Sequence, residues 1–481
     1  MTLDNIDIDA AIADAEKMLQ DDQQVTPAVR AVMSVLLLVI KLLMAKSGLN
    51  SRNSSIPPSQ DQNRQKAKKT GAKRKAGGQP GRKGVTLKPV DDPDEIQVLA
   101  LDRRTLPRGH WQEVDVERRQ VVDLRIERHV TEYQAPVLEN EHGQRCVAPF
   151  PTGVTRPIQY GASVKAHAVY LSMFQLLPYE RIQAMFCEQY GIPLSAGSLV
   201  NFNRDAAKRL APFDDLATQW LASEPLLHAD ETGLNIDSKR HWLHVLCAPA
   251  CTLFGLSTKR GTEAMNAMGV LPRYKGTLIH DHWKPYYTYA CTHALCNAHH
   301  LRELTYAYEE DGQRWAKNLH TLLLELHEAV EQAGGALPPD QAKRWRTRYR
   351  KILGRGDTEC PAPVLGDNTP RRGRLKRSKS RNLLERLRAY EDDVLRFMGD
   401  PQVPFTNNQG ERDLRMTKVQ QKISGCFRSA EGAEAFCRIR SYLLTCQKNK
   451  VEPGAALAAV FKNNWPDFLI EKRSHLEDGA E

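Results

Sequence analysis

The chain has 481 residues, 41% of them hydrophobic, and Lys plus Arg outnumber Asp plus Glu by 68 to 58. That length and apolar content exclude a wholly disordered chain and a small disulfide scaffold, and leave room for several domains with real cores. The excess charge is local: residues 62–90 hold ten Lys/Arg and no acid, which points to a polyanion partner rather than a uniformly basic surface.

Ten cysteines at irregular spacings, with no Cys-x-x-Cys pair, follow an acidic start that lacks the basic n-region of an export signal. The expected setting is a reducing cytosol. The first element in chain order is a helix from about Thr26 to Ala45. Within it Met33, Leu37, Ile40 and Met44 repeat at spacings of four, three and four, and Val32, Leu36, Val39 and Leu43 do the same one residue earlier. Such a helix needs a partner, and two remain open: its own chain, or a short coiled coil between subunits. The apolar run 31–45 is interrupted by Lys41 and is shorter than the roughly 20 residues of a bilayer span, so no membrane association is expected.

Residues 1–48 thus form an N-terminal helical segment, and 49–94 a flexible basic arm rich in Ser, Gly, Pro and Lys. Lys68, Lys69, Lys73, Arg74, Lys75, Arg82 and Lys83 are its candidate phosphate contacts, because its charge has one sign. Alternating stretches such as "RQVVDLRIERHVTEYQAPV" predict a small β-rich module over 95–150. A helical DNA-binding or linker region follows over 151–222. There, helices at 161–188 and from Ser195 outline a helix-turn-helix, but the second helix opens with few base-reading side chains and also fits a plain helical hairpin.

From 223 to 304 the pattern is orderly. "PLLHADETGLNID", "RHWLHVLCAP" and "CTLFGLST" read as three consecutive strands, then a helix over "GTEAMNAMGVL", a fourth strand "GTLIHD" and a long helical region. A three-strand meander, a helix and another strand open a ribonuclease-H-like α/β fold. Asp230 lies in the first strand and Asp281 ends the fourth; in such a sheet these strands are neighbours, and strand ends are where open α/β sheets meet ligands. Both follow apolar runs, where an unpaired charge would be costly. Glu231 is a rival, but strand alternation aims it at the opposite face.

Further on, "FTNNQGERDLR" (405–415) opens a helix that Asn407 or Asn408 can cap. Glu411 in its first turns can complete a set of three carboxylates, while Arg412 and Arg415 remain for DNA phosphates. A plain Glu411–Arg415 helix pair is the structural alternative, stabilising by only about 0.2–0.5 kcal/mol. Three convergent carboxylates suit Mg²⁺ or Mn²⁺, and two such ions about 4 Å apart serve phosphodiester chemistry.

"NSRNSSIPPSQD", "KAGGQPGRKGVTL", "LHADETGLNI", "GTLIHDHWKPYY", "ALCNAHHLREL" and "TNNQGERDLR…KISGCFRSAEGAE", in this order over residues 30–465, resemble the motifs of the insertion sequence 66 family of DDE transposases. The resemblance implies that Asp230, Asp281 and Glu411 are the catalytic and metal-holding triad. It implies a ribonuclease-H-like core in two parts, 223–304 and 401–450, around a helical insertion at 305–400, with a tail over 451–481. The insertion carries the run "RRGRLKRSKSR", whose Arg371, Arg372, Arg374, Lys376 and Arg377 join the candidate DNA contacts.

The family's zinc-finger-like segment has paired Cys-x-x-Cys sequences where this chain has only Cys146, in the β-rich module, and four ligands cannot be assembled there. "CTHALCNAHH" offers Cys291, Cys296, His293 and His299, but the resemblance accounts for that stretch as a helix beside the active site, so no zinc is expected. The expected partners are DNA, as element ends and target, further copies of the chain on that DNA, and small accessory proteins of the same element. The expected place is the bacterial cytoplasm, at the nucleoid. The rival functions are a non-catalytic DNA-binding protein derived from a transposase and a ribonuclease-H-like nuclease that cuts without joining.

Overall fold

The computed structural model describes residues 2–3, 6–22, 25–47, 49–54, 61, 86–112, 114–363 and 377–478. At its centre is a five-stranded mixed sheet of β1 (Leu226–Ile236), β2 (Lys239–Cys247), β3 (Thr252–Ser257), β4 (Thr277–His280) and β5 (Thr292–Leu295). The spatial order is β3-β2-β1-β4-β5. Strands β1 to β3 form an antiparallel meander, and β4 and β5 add parallel to β1. The first four match the sequence expectation; β5 does not, because "THAL" has only four residues and runs straight into a helix.

Ahead of the sheet, α1 (Ile8–Asp21) packs on α2 (Pro27–Ser47), with Ile12 and Leu37 buried and Lys41 paired to Glu16 at 2.6 Å. Most of α2's apolar side chains stay exposed, among them Val32, Leu36, Val39 and Leu43. The helix extends past the apolar run, and by length and composition alone the 18 residues Pro27–Met44 are apolar enough to cross a membrane, a test that core helices of soluble proteins also pass.

Where a β-rich module was expected at 95–150, the described residues show one hairpin of three-residue strands, Val137–Glu139 against Arg145–Val147, and a 3-10 turn at Arg103–Thr105. Val98, Leu99, Val114 and Val121 are exposed, so the alternation that looked like strands faces no core. The start of the expected arm is also ordered: Asn53 is buried and bonds Glu310 at 3.5 Å, beside an Arg52–Glu309 pair.

Helices α3 (Ala162–Val169), α4 (Tyr179–Tyr190), α5 (Ala196–Arg209) and α6 (Ala211–Ser223) follow. Ser195 caps α5, its Oγ accepting from Ser198 N, and Gly191 in the left-handed region ends α4. Leu199, Phe202 and Ala206 of α5 are buried, so the α4–α5 pair is a core hairpin along that face. These helices build one core with the odd-numbered side of β1, through Leu227 and Ala229.

The other side of the sheet is shared. Helices α7 (Asn297–Glu309), α8 (Arg314–Gln332), α9 (Pro339–Glu359) and α10 (Lys379–Ala389) form a second core that takes in Leu226, Ile279 and Ala294. Over the meander lie α11 (Asn408–Ser424) and α12 (Ala430–Lys448), where Leu414, Ala433 and Cys437 meet Leu234, Leu243 and Val245. Helices α13 (Pro453–Phe461) and α14 (Asp467–Asp478) close the chain against α3, α5 and α6. A buried ion pair, Lys448 to Asp413 at 2.8 Å, with Thr252 donating to the same carboxylate, clamps α11 to α12 and to β3.

Candidate active site

The gap on the even-numbered face of β1, between α11 and the α7–α10 layer, holds the predicted carboxylates. Leu226, Leu227 and His228 stand opposite Thr277, Leu278 and Ile279. Asp230 lies two residues past the last of these pairs on β1 and Asp281 directly follows β4, and the charge of Asp281 acts on Asp230. Neighbouring parallel strands are about 4.8 Å apart, so the two aspartates adjoin. Their backbone surroundings fix them. Glu231 N donates to Asp230 Oδ1 at 2.8 Å, and Trp283 N donates to Asp281 Oδ1 at 3.0 Å. The latter needs a sharp turn, supplied by His282 at φ 71°, an uncommon left-handed conformation for a non-glycine residue.

Glu411 reaches the same gap from α11. Gly410 lets the helix come this close: a Cβ there would stand 3.3 Å from Asn407 Oδ1 and 3.4 Å from Asp230 Cβ. Asn407 does not cap the helix with its side chain. It is buried, its Nδ2 donates to Ala229 O at 2.8 Å, and its Oδ1 bonds His228 Nδ1 at 2.8 Å. The correction has a tertiary cause: next to a buried strand, a side-chain amide is needed more by Ala229 and His228 than by the exposed helix end. Among the described residues no ion pair links Glu411 to Arg415. Instead Glu411 Oε1 lies 4.0 Å from His299 Nδ1.

The electrostatics are those of crowded negative charge. Burial, then Glu231, Asp281 and Glu411, push the Asp230 carboxyl well above its ordinary range. Asp230 has no ion-pair partner among the described residues. Glu231 goes to the opposite face, as alternation requires, where Tyr286 Oη donates to its Oε2 at 2.6 Å and Arg260 pairs with its Oε1. Burial and the Asp281 charge nevertheless raise it too. Arg260 is in turn stacked on Trp283, 4.1 Å from the ring centroid. Among the described residues no Lys or Arg forms an ion pair with any of the three carboxylates, though the charge of Lys418 reaches Asp230, and such a half-buried set of acids fits a hard divalent cation.

Other predicted contacts are spread out. Arg412 and Arg415 are exposed on α11 beside the site. Arg377 is engaged by Glu385, which leaves less of its charge for phosphate. Lys68, Lys69, Lys73, Arg74, Lys75, Arg82 and Lys83 of the arm, and Arg371, Arg372, Arg374 and Lys376 of the insertion, lie outside the described residues. Of the four Cys/His candidates in "CTHALCNAHH", the structure gathers Cys296 and His299 near Glu411 and sets His293 apart, on His280 at 3.1 Å. Asn407, Gly410, Tyr286 and Arg260 were not read from the sequence as site residues, since their roles depend on contacts far along the chain.

Residues 157–435 match the family described as "Transposase IS66 family", and residues 5–88 match one described as "Family of unknown function (DUF6444)". Two relatives from Sinorhizobium fredii (strain NBRC 101917 / NGR234) are "Uncharacterized protein y4hP", 26% identical over 59% of this chain and 55% of its own length, and "Uncharacterized protein y4jD", 23% identical over 62% of each. The chain thus spans less than two thirds of either relative. The match over more than half of its length, around the sheet and the carboxylate gap, means that the chain belongs to the IS66 family of transposases.

Proposed function

We propose that the chain is a DDE transposase that cuts DNA at the ends of a mobile element and joins them to target DNA, with Asp230, Asp281 and Glu411 holding Mg²⁺ or Mn²⁺ in a ribonuclease-H-like core. The observation that supports this reading is convergence: β1 and β4 pair in parallel as far as His228 and Ile279, two residues short of Asp230 and Asp281, and the charges of Asp281 and Glu411 both raise Asp230. Bound divalent ions supply Lewis-acid activation of the attacking oxygen and charge stabilisation at the leaving oxygen.

The chain's own residues place and polarise. The backbone donors of Glu231 and Trp283 each occupy one carboxylate oxygen, leaving the others for cations. Asn407 and Gly410 set how closely Glu411 approaches. Arg412 and Arg415 are exposed and available to the DNA backbone, and the Lys and Arg residues of the arm and insertion are further candidate phosphate contacts by their charge. No protein nucleophile is required. Water attacks phosphorus in line and releases a 3′-hydroxyl at the element end; that hydroxyl then attacks a target phosphodiester, forming one bond as it breaks another.

DNA is therefore the partner and substrate, and the exposed apolar face of α2 supports assembly of several copies on it. Small accessory proteins of the same element, and a cytoplasmic place at the nucleoid, complete the reading. The test is a reaction of the full chain with labelled candidate element ends, target DNA and Mg²⁺, beside Asp230→Ala, Asp281→Ala and Glu411→Ala. Nicked and joined products from wild type only, with DNA binding kept in all, are expected. Cleavage without joining would favour a nuclease, and binding without cleavage in all four chains a DNA-binding protein.

A further inference from the structure

Glu411 has a second set of neighbours that the DDE reading does not use. Its Oε1 and His299 Nδ1 are both buried, both without a hydrogen-bond partner among the described residues, and 4.0 Å apart. Cys296 Sγ completes a group whose donor atoms all lie within 4.8 Å of one another. Asp230 and Asp281 are outside that tight group.

The fold builds this cluster rather than leaving it to surface chance. Strand β5 pairs with β4 so that Thr292 to Leu295 stand opposite Thr277 to His280, and one residue on, Cys296 is level with Asp281. Cys296 immediately precedes α7, so His299 lies one helical turn along on the same side. The backbone N of Asn407, at the head of α11, donates to Cys296 Sγ at 3.1 Å and holds the sulfur beside Glu411.

Thiolate, imidazole and carboxylate together suit a borderline-soft ion and not Mg²⁺. Zinc bonds of about 2.3 Å to sulfur and about 2.0 Å to nitrogen and oxygen require the donors to draw in by about an ångström, within reach of the flexible Glu411 side chain.

We propose that Cys296, His299 and Glu411 form a thiophilic metal site that takes Zn²⁺ with its fourth position open, and that occupancy withdraws Glu411 from Asp230 and Asp281. Zinc then opposes the hard-cation chemistry of the same gap. The binding half stands on the cluster alone; the opposing half rests on the function proposed above.

The experiment uses the full chain, freed of metal, titrated with Zn²⁺ against a chromophoric chelator and with Co²⁺ for its thiolate absorption. Replacing the exposed Cys146, Cys187 and Cys426 together by Ser is expected to preserve one site and its cobalt band. Cys296→Ser and His299→Gln are expected to weaken zinc at least about tenfold, and Cys296→Ser to abolish the band. Loss of the band in the triple-serine chain, or unchanged affinity in folded Cys296→Ser, overturns the site. In parallel, zinc is titrated into Mg²⁺-supported DNA cleavage. Inhibition in wild type, relieved at least about tenfold by Cys296→Ser, is expected; zinc bound without inhibition overturns the opposing half. No cleavage at all, with cysteine-dependent zinc binding intact, would count against the transposase reading and leave the metal site standing.

Discussion

At the scale of single residues, Asp230 carries the most telling physics. Its folded pKa lies above the unfolded value of 3.8, so its contribution to stability is fully present below pH 3.8 and lost as pH rises through the folded value. At neutral pH the ionised carboxylate therefore works against the metal-free fold. Asp230→Asn is expected to raise the thermal midpoint of metal-free protein at pH 7, with the gain vanishing toward pH 3.8, as scanning fluorimetry across pH will show. An unchanged or lowered midpoint at pH 7 would mean that the carboxylate is not under strain. Asn407 makes the opposite case. Asn407→Leu leaves Ala229 O and His228 without their partner, a loss of about 1–3 kcal/mol on chemical denaturation. Both aspartates stand out in the sequence because each follows an apolar run. Of Asn407 and Asn408, read as possible caps, Asn407 does stand at the N-cap position, but its side chain makes no capping bond because its partners lie 178 and 179 residues back.

At the scale of elements, α11 is the piece that assembles the site, and it is held from both sides. Gly410 sets its approach to β1; an added Cβ stands 3.3 Å from the Asn407 amide, which must give by a few tenths of an ångström, so Gly410→Ala is expected to lower DNA cleavage with little change in DNA affinity in a gel-based assay. Below it, Asp413 neutralises the buried Lys448. Removing one partner of such a pair strands a charge, and Asp413→Ala is expected to cost about 3–5 kcal/mol by urea titration. A cost under about 1 kcal/mol would show that Lys448 finds water instead. Strands β1 to β4 could be read directly, since their apolar runs are bounded by short polar turns. Strand β5 is too short to separate from α7, and the alternation over 95–150 misled because period two signals a strand only when one face has something to cover it.

At the scale of the whole molecule, the sheet, the helical layer of 297–389 and the N-terminal helices divide the tasks. The carboxylate gap sits where two cores meet, between α11 and α7, so its residues come from positions 230, 281 and 411. Helix α2 stands apart with Leu36 and Leu43 exposed, and Leu36→Asp with Leu43→Asp is expected to reduce the subunit count measured by light scattering. No change in mass would assign that face to something other than a second copy. The central claim is that three carboxylates far apart in sequence share divalent ions, and its most direct test is Mn²⁺ binding by the full chain, read by electron paramagnetic resonance. Wild type is predicted to hold two Mn²⁺ at the site. Asp230→Asn, Asp281→Asn and Glu411→Gln should each weaken that binding at least about tenfold. If any one of the three folded variants binds Mn²⁺ as wild type does, that carboxylate is not a ligand and the triad as described here is wrong.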